Sequence, residues 1–410
     1  MIKFFLRNVT PFINAQTLGG VLLALSALVA LAMSNSPWSG VYLRLLNFPV
    51  EVRLGADALV LSKPMLVWVN DLWMAVFFFL VGLEIKRELL VGELASVRQV
   101  MLPAGASLGG MVVPALIFSA INASDPVALR GWGIPMATDI AFALGILVLL
   151  GSRVPVSLKI FLTAVAIIDD LGAILVIAFF YTADLSLPML LAAGGGVVLL
   201  WLLNRFRVNA IGVYVVVGLV IWLCVLKSGI HATLAGVVTA LAIPLSDGKG
   251  GSPLETAEHA LHPWVAYLVL PVFAFGNAGV GLADVGMDTL LQTVPLGITA
   301  GLLLGKFTGV FGASWLMIRF AGARLPEHSN WLQFAGVAVL CGVGFTMSLF
   351  IGSLAFEGAD AAYAAQVKIG VLMGSLLSAA LGVTLLLLRP GSPHRTFGQK
   401  ADQTPGRSML

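Results

Sequence analysis

Three aspartates and one lysine lie deep inside long apolar stretches of this sequence, and these charged residues are the candidates for chemistry: Asp139, Asp169, Asp170 and Lys306. A carboxylate or ammonium group in mid-membrane costs at least about 2.5 to 3.5 kcal/mol, so such groups usually face a water-filled cavity and mark an ion or proton path. A structural ion pair that holds helices together is the alternative interpretation. Three carboxylates against one amine leave an excess of negative charge that a cation would neutralise, which favours the ion path.

The adjacent pair Asp169 and Asp170 has the chemistry of a site for which a cation and protons compete. Neighbouring residues on a helix point about 100° apart, so one carboxylate can bind an ion while the other pairs with a different group. Two close carboxylates in a low-dielectric environment repel each other and lose solvation, and both effects favour the protonated form. Oxygen ligands also suit a hard cation such as sodium. The pair therefore predicts a site for sodium and protons at Asp169 and Asp170.

The composition around these residues indicates that membrane-spanning helices carry them. Hydrophobic residues make up 59% of the chain and charged residues 10%, against about 25% charged residues in ordinary globular domains, which excludes a soluble domain. Crossing a hydrocarbon core of about 30 Å takes about 20 apolar residues. The sequence therefore predicts an all-α polytopic membrane protein with about twelve spans, near residues 15–35, 64–85, 101–121, 127–150, 156–181, 188–204, 210–226, 229–245, 261–282, 294–318, 332–356 and 364–388.

The fourth and eleventh predicted spans are both interrupted. In the fourth, Gly133 and Pro135 weaken a helix, and Thr138 with Asp139 is good N-cap chemistry for a new one. In the eleventh, the interruption is Cys-Gly-Val-Gly-Phe-Thr-Met-Ser, residues 341–348. Paired interruptions in two halves of a chain indicate a transporter binding site, although close helix packing also explains glycines there.

Broken helices that cross would bring positive N-terminal and negative C-terminal dipole ends together. An acid and a base nearby would offset these ends, and Asp139 and Lys306 fit the two roles. The sequence therefore predicts that spans 4 and 11 are discontinuous and cross each other near the acidic pair.

The distribution of basic residues predicts the orientation of the chain. One side of the membrane collects sixteen of the 23 Lys and Arg residues when they are counted against these predicted spans, so the positive-inside rule places both termini in the cytoplasm. A net charge of +3 does not indicate a nucleic-acid partner. The tail over residues 391–410, rich in Pro, Gly, Ser and Thr, is predicted to be disordered and cytoplasmic.

The outer loop over residues 36–63 contains an alternating pattern that predicts a β-hairpin. Residues 49–54 and 58–61 would form the strands, and Gly55-Ala56-Asp57 the turn. The edge of an exposed hairpin can pair two protomers, and a solvated loop is the alternative.

Several of these motifs are similar to those of one transporter family. They include Phe-Phe-Phe-Leu-Val-Gly-Leu-Glu-Ile-Lys-Arg-Glu-Leu (77–89), Pro-Met-Ala-Thr-Asp-Ile-Ala-Phe-Ala-Leu-Gly (135–145), Ala-Ile-Ile-Asp-Asp-Leu-Gly-Ala-Ile (166–174), Leu-Lys-Ser-Gly-Ile-His-Ala-Thr-Leu-Ala-Gly (226–236) and the segment 341–348. With these motifs, the chain closely resembles the NhaA family of bacterial sodium/proton antiporters over roughly residues 8–388.

The resemblance implies a fold and an activity. It implies one transmembrane transporter domain over residues 1–390, with inverted repeats in spans 3–5 and 10–12. It implies a secondary active antiporter that exports Na⁺ or Li⁺ for protons, is electrogenic, responds to alkaline pH and contributes to sodium and pH homeostasis. It also implies a homodimer through the outer hairpin, in a lipid bilayer. No catalytic residue, cofactor, nucleic acid or other protein partner is expected.

The resemblance also assigns residues. Asp169 and Asp170 would form the ion and proton site, Lys306 would pair with Asp169, and Thr138, Asp139 and Gly344 would lie at the helix crossing. Further positions match family positions linked to the cytoplasmic funnel, the pH response or the outer surface: Glu84, Arg87, Glu88, His231, Glu258, His259 and His262. A solvated helix end explains Glu84 and Glu88 equally well. A lone histidine such as His231 is more often a satisfied hydrogen-bonding group than a sensor.

Two segments depart from the family pattern. The loop over residues 248–258 is less basic than the resemblance leads us to expect, which bears on the pH response. Lys306 is followed by Phe307-Thr308 where a proline is expected, which bears on local helix geometry.

Three other classes of function remain in view. An intramembrane aspartyl protease would need facing aspartates on different spans, whereas Asp169 and Asp170 are consecutive and Asp139 has a capping role. A passive cation channel would conduct without proton exchange. A proton-coupled carrier of an organic solute would need a larger polar or aromatic cavity than these sparse charges indicate.

Overall fold

Long helices make up most of the chain in this computed structural model, which describes residues 2–54, 59–181, 185–282 and 286–388. The helices are α1 (Ile2–Ser34), α2 (Ser39–Leu46), α3 (Met65–Leu90), α4 (Val97–Ile121), α5 (Pro126–Met136), α6 (Ile140–Leu149), α7 (Val156–Phe180), α8 (Leu187–Arg205), α9 (Ile211–Leu226), α10 (Leu234–Ala242), α11 (Pro253–Ala278), α12 (Thr293–Phe320), α13 (Trp331–Leu340), α14 (Phe345–Ala355) and α15 (Ala361–Leu388).

The prediction of an all-α, multi-span membrane protein is confirmed. A helix lies at each of the twelve predicted positions. Eight helices of the described chain are long and apolar enough to cross a membrane, and up to ten if each of two bent helix pairs is counted as one span. Helices α9 and α10 are shorter, at 16 and 9 residues. The helices at the seventh and eighth predicted spans, residues 210–226 and 229–245, are therefore short.

A two-stranded antiparallel sheet precedes α3, which confirms the predicted hairpin. Strand β1 (Pro49–Leu54) pairs with β2 (Leu59–Pro64), with Pro49 opposite Pro64 and Leu54 opposite Leu59. The predicted turn at Gly55-Ala56-Asp57 lies outside the described residues, as does the predicted tail over residues 391–410. The outer location of the hairpin, its role between protomers and the inverted repeats stay predictions.

Helices α4 and α12 approach each other at backbone contact distance. A Cβ atom added at Gly309 would lie under 3.0 Å from the carbonyl oxygen of Gly109, and one added at Gly109 would lie equally close to the carbonyl oxygen of Gly309. Small residues permit such close helix packing in membranes, where dispersion contacts drive association. A Cβ at Gly110 would stand 3.7 Å from Lys306 Nζ, so this face of α4 runs directly beside the lysine.

Helix α7 packs against the same part of α4. A Cβ at Gly172 would lie under 3.0 Å from the sulfur of Met111. Gly172 is two residues after Asp170, so this contact holds the acidic pair of α7 close to α4. Three helices therefore meet at the level of the candidate residues: α4, α7 and α12.

The close approach of α4 and α12 generates a test in which two glycines of one helix are compared. Gly309→Ala should destabilise the protein by about 1 to 3 kcal/mol, because the methyl group overpacks against a backbone that cannot rotate away. Gly312→Ala is the matched control, since a Cβ there meets nothing within 4 Å. Alanine at that position should be neutral or stabilise the helix by up to about 1 kcal/mol.

Thermal unfolding of the two purified variants and the parent measures the difference. Equal melting temperatures for Gly309→Ala and Gly312→Ala would contradict backbone contact between α4 and α12.

Candidate ion-binding site

The fourth predicted span is built from two half-helices. Asp125 begins the first, α5, because its Oδ1 accepts the N–H groups of Val127 at 2.9 Å and Ala128 at 3.2 Å, while its Oδ2 accepts the Tyr363 hydroxyl at 2.9 Å. The Ala128 N–H and the Tyr363 hydroxyl hold the pKa of Asp125 below its usual value, since they stabilise the ionised carboxylate. The second half-helix, α6, lies 42° from the direction of α5.

Asp139 begins α6. Its Oδ1 accepts the N–H of Phe142 at 2.9 Å, which is an N-cap interaction. Its Oδ2 accepts the backbone N–H and the hydroxyl of Thr346, at 2.9 and 2.6 Å. Thr346 is in the first turn of α14, so one buried carboxylate accepts hydrogen bonds from the N-terminal ends of two half-helices. A negative charge is stabilised there by both helix dipoles.

The break between α5 and α6 contacts the break between α13 and α14 directly. The N–H of Asp139 donates to the carbonyl oxygen of Val343 at 2.7 Å. At Gly344, a Cβ would lie 3.0 Å from the carbonyl oxygen of Ala137 and closer still to Ser348 Oγ. A side chain at Gly344 would therefore push the two breaks apart.

Asp169 lies against these breaks and carries a buried ion pair. Lys306 Nζ donates to Asp169 Oδ2 at 2.5 Å, and neither side chain has exposed surface. Thr138 Oγ1 lies 2.7 Å from the same Oδ2 and 2.9 Å from the carbonyl oxygen of Cys341, so its single proton serves one acceptor at a time. Ser107 Oγ on α4 donates to Asp169 Oδ1 at 2.6 Å. Both carboxylate oxygens of Asp169 are thus satisfied.

Asp170, the next residue, has a different environment. It is 1% exposed, yet no donor in the described part of the chain reaches its Oδ1. A buried carboxylate oxygen without a partner is costly and is stabilised by binding either a proton or a cation. The charges of Asp169, Glu84, Asp139 and Lys306 all act on Asp170. Within the pair, Asp170 is therefore the carboxylate with an oxygen that has no donor in the described part of the chain.

A second ionic cluster contains three of the residues that the resemblance linked to pH response. Arg87 Nε donates to Glu258 Oε2 at 2.8 Å, and an Arg87 terminal nitrogen lies 2.8 Å from Glu88 Oε1. This cluster joins α3 to α11. Glu84 lies one turn earlier on α3 and interacts electrostatically with both Glu258 and Asp170. The part of these residues in a pH response stays a prediction.

His231 belongs to a different cluster. Its Nδ1 lies 2.8 Å from the hydroxyl of Thr233, and its Nε2 lies 4.0 Å from Asp71, which pairs with Lys63 at 3.0 Å. Asp71 and Glu84 are at opposite ends of α3, separated by about 20 Å at 1.5 Å per residue. The structure therefore does not bring His231 together with the Arg87 cluster.

The other two histidines lie on α11. His259 Nδ1 is 2.7 Å from the carbonyl oxygen of Glu255 on an exposed face, and His262 is partly buried.

Comparison with known proteins identifies the family of this chain. Residues 10–386 match the family described as Na+/H+ antiporter 1. The chain belongs to this family. A relative from Albidiferax ferrireducens, named Na(+)/H(+) antiporter NhaA, is 75% identical over 387 residues, which cover 94% of this chain and 98% of the relative.

Two more distant relatives carry the same name, Na(+)/H(+) antiporter NhaA. The one from Salmonella arizonae is 53% identical over 389 residues, covering 95% of this chain and the whole relative. The one from Citrobacter koseri is 54% identical over 385 residues, covering 94% and 99%. The resemblance found in the sequence motifs is thereby confirmed for this member of the Na+/H+ antiporter 1 family.

In this family member the structure gathers the four charged residues found from the sequence. Asp139, Asp169, Asp170 and Lys306 lie around one contact between the two breaks. The sequence interpretation assigned no role to Ser107 or Thr346, which contact Asp169 and Asp139. Both are hydroxyl residues in largely apolar helices, so the available signal was a polar residue within a span. A dipole-offsetting role for Lys306 stays a prediction, since its described hydrogen bond goes to Asp169.

The buried ion pair generates a stability prediction for this antiporter. Lys306→Ala should lower the stability by about 3 to 5 kcal/mol, because it leaves the Asp169 charge buried and uncompensated. Adding Asp169→Asn to this variant removes that charge and should recover part of the loss. Thermal unfolding of purified single and double variants measures both effects. A melting temperature for Lys306→Ala equal to that of the parent, or losses that simply add in the double variant, would show that the pair is not coupled.

Proposed function

We propose that this chain exchanges sodium or lithium for protons across the membrane, with the ion and the protons competing for Asp169 and Asp170. One observation carries the proposal: Asp170 Oδ1 is buried without a donor, beside an aspartate whose oxygens are both satisfied. The relatives named Na(+)/H(+) antiporter NhaA support sodium and protons as the exchanged ions.

Loading begins at the open carboxylate. When Asp170 is deprotonated, its carboxylate is one ligand for a sodium ion. Asp169, the preceding residue on α7, supplies a further oxygen. Thr138 can turn its proton to the Cys341 carbonyl oxygen and present a lone pair to a sodium ion held beside Asp169. Lys306 then loses part of its contact with Asp169, since the cation replaces its positive charge.

Exchange follows if the site changes its exposure from one face of the membrane to the other only when sodium or protons have neutralised it. The empty site carries uncompensated negative charge on Asp170, whereas sodium or protons remove it. Movement of the half-helix region relative to its surroundings then exposes the site to one face at a time. Two carboxylates hold two protons but one sodium ion, so we propose that each cycle moves net charge and is electrogenic.

We propose that the chain lies in the bacterial inner membrane with both termini in the cytoplasm, where it contributes to sodium and pH homeostasis. The asymmetry of Lys and Arg between the predicted loops supports this orientation. Accessibility tags at the C-terminus and near Asp184 should be labelled from opposite faces of the membrane. Labelling of both tags from one face would refute the arrangement.

The coupling of sodium and proton movement at Asp169 and Asp170 is tested by Asp→Asn substitutions, which remove a negative charge and keep the shape of the side chain. Asp170→Asn should abolish sodium-driven proton movement in proteoliposomes while the protein stays folded, because the amide cannot exchange a proton for a cation. Asp139→Asn should retain more activity than Asp170→Asn. The Asp139 carboxylate accepts backbone N–H groups of two helices, and an amide oxygen can replace part of that role. A pH-sensitive dye inside the vesicles reports the exchange.

The parent protein supplies the second arm of this experiment. If protons compete with sodium, lowering the pH should raise the apparent KM for sodium and leave the maximal rate nearly constant. Full exchange by Asp170→Asn, or a sodium KM independent of pH in the parent, would rule out this pair as the coupling site. Sodium flux without proton movement in the parent would indicate a channel instead.

A further inference from the structure

The hydroxyl of Ser107 is a neutral group on α4 that donates a hydrogen bond to the acidic pair. Ser107 has no exposed surface, and its Oγ donates to Asp169 Oδ1 at 2.6 Å. The other oxygen of Asp169 faces Lys306 and Thr138. Ser107 therefore contacts the carboxylate oxygen that the ion pair does not use.

The oxygen of Ser107 retains capacity to bind a cation. A hydroxyl has one proton and two lone pairs, and the described hydrogen bond of Ser107 uses only the proton. Donating that proton to a carboxylate makes the hydroxyl oxygen more electron-rich, because hydrogen bonds in a chain polarise one another. Asp170 Oδ1 is also without a donor. Unused oxygen lone pairs thus lie on a neutral group and on a carboxylate of the same site.

A hard monovalent cation prefers several oxygen ligands. If all of these ligands were carboxylates, their negative charge would exceed the single positive charge of the cation. A neutral hydroxyl adds a ligand without adding charge. Helix α4 is closely packed at this level, since Gly109 and Gly309 bring its backbone against α12 two residues after Ser107. The hydroxyl is therefore held in place before the ion arrives, which lowers the entropic cost of binding.

We propose that Ser107 Oγ is a ligand of the transported cation, and that it keeps its proton on Asp169 Oδ1 while the ion is bound. This inference rests on the proposed exchange at Asp169 and Asp170. It adds a residue from α4 to a site that the sequence motifs placed on α7 and on the two breaks. Ser107 then sets the affinity for the cation, whereas the carboxylates set the coupling to protons.

The test compares three variants with the parent in proteoliposomes. Ser107→Ala should raise the apparent KM for sodium about fivefold to tenfold, where tenfold corresponds to about 1.4 kcal/mol of binding free energy. The maximal rate should change by less than about twofold. Ser107→Thr keeps a hydroxyl on the same carbon and should stay within about twofold of the parent KM. Ser314→Ala is the matched control, because Ser314 is a fully buried serine on α12 whose hydroxyl has no described hydrogen-bond partner.

A second measurement does not depend on transport. A ligand that binds the folded state raises the melting temperature, so the sodium concentration that gives half of the maximal rise reports binding. This midpoint should shift about fivefold to tenfold upward in Ser107→Ala and stay near the parent value in Ser107→Thr and Ser314→Ala. Each variant is compared with its own value without sodium, so a general change in stability does not enter.

The outcomes separate this inference from the proposed function. If the parent exchanges sodium for protons and Asp170→Asn does not, the proposed function stands, and Ser107 is judged on the variants alone. A parent-like KM and midpoint in Ser107→Ala would overturn the role of Ser107, as would equal losses in Ser107→Ala and Ser107→Thr. If the parent itself moves no protons in response to sodium, the proposed function is refuted, and the inference about Ser107, which rests on it, is refuted with it.

Discussion

A lysine and an aspartate that have no exposed surface face each other between α12 and α7, and much of the surrounding architecture serves this pair. Lys306 and Asp169 are each expensive to bury alone, but together they neutralise one another at 2.5 Å. Glycines on α4 and α12 let the helices close around the lysine. The pair thereby brings α7 and α12 together, while the neighbouring Asp170 keeps a buried carboxylate oxygen without a donor in the described part of the chain.

The two helix breaks, between α5 and α6 and between α13 and α14, leave backbone groups that need hydrogen-bond partners. Broken helices expose N–H groups and carbonyl groups that have no partner within their own helix. Asp139 accepts N–H groups from α6 and from α14, and Thr138 offers its hydroxyl to the carbonyl oxygen of Cys341. The polar groups of the breaks therefore satisfy one another in an apolar setting. They also place non-helical backbone next to the acidic pair, where an ion needs oxygen ligands.

The difference between two consecutive aspartates links this arrangement to exchange. Asp169 receives donors from α4, from the first break and from α12, so both of its carboxylate oxygens have partners. Asp170 is equally buried but lacks a donor at Oδ1. One residue step of about 100° on the helix separates these two environments. In the exchange that we propose, a carboxylate with both oxygens satisfied, beside one with an unpartnered oxygen, lets a cation and a proton substitute for each other at this site.

The sequence by itself determined the membrane class, the position of the helices, the interruptions and the four buried charges. These are local properties, because apolar runs, Gly and Pro, N-cap residues and isolated charges act within a few residues of their own position. Only the tertiary structure decided that Ser107 and Thr346 contact the two key carboxylates, and that His231 lies apart from the Arg87 cluster. A hydroxyl in an apolar helix can bond to its own backbone, so its presence in the sequence does not reveal a distant partner. Such partners depend on how closely the helices pack, and that distance is set by contacts between residues far apart in the chain.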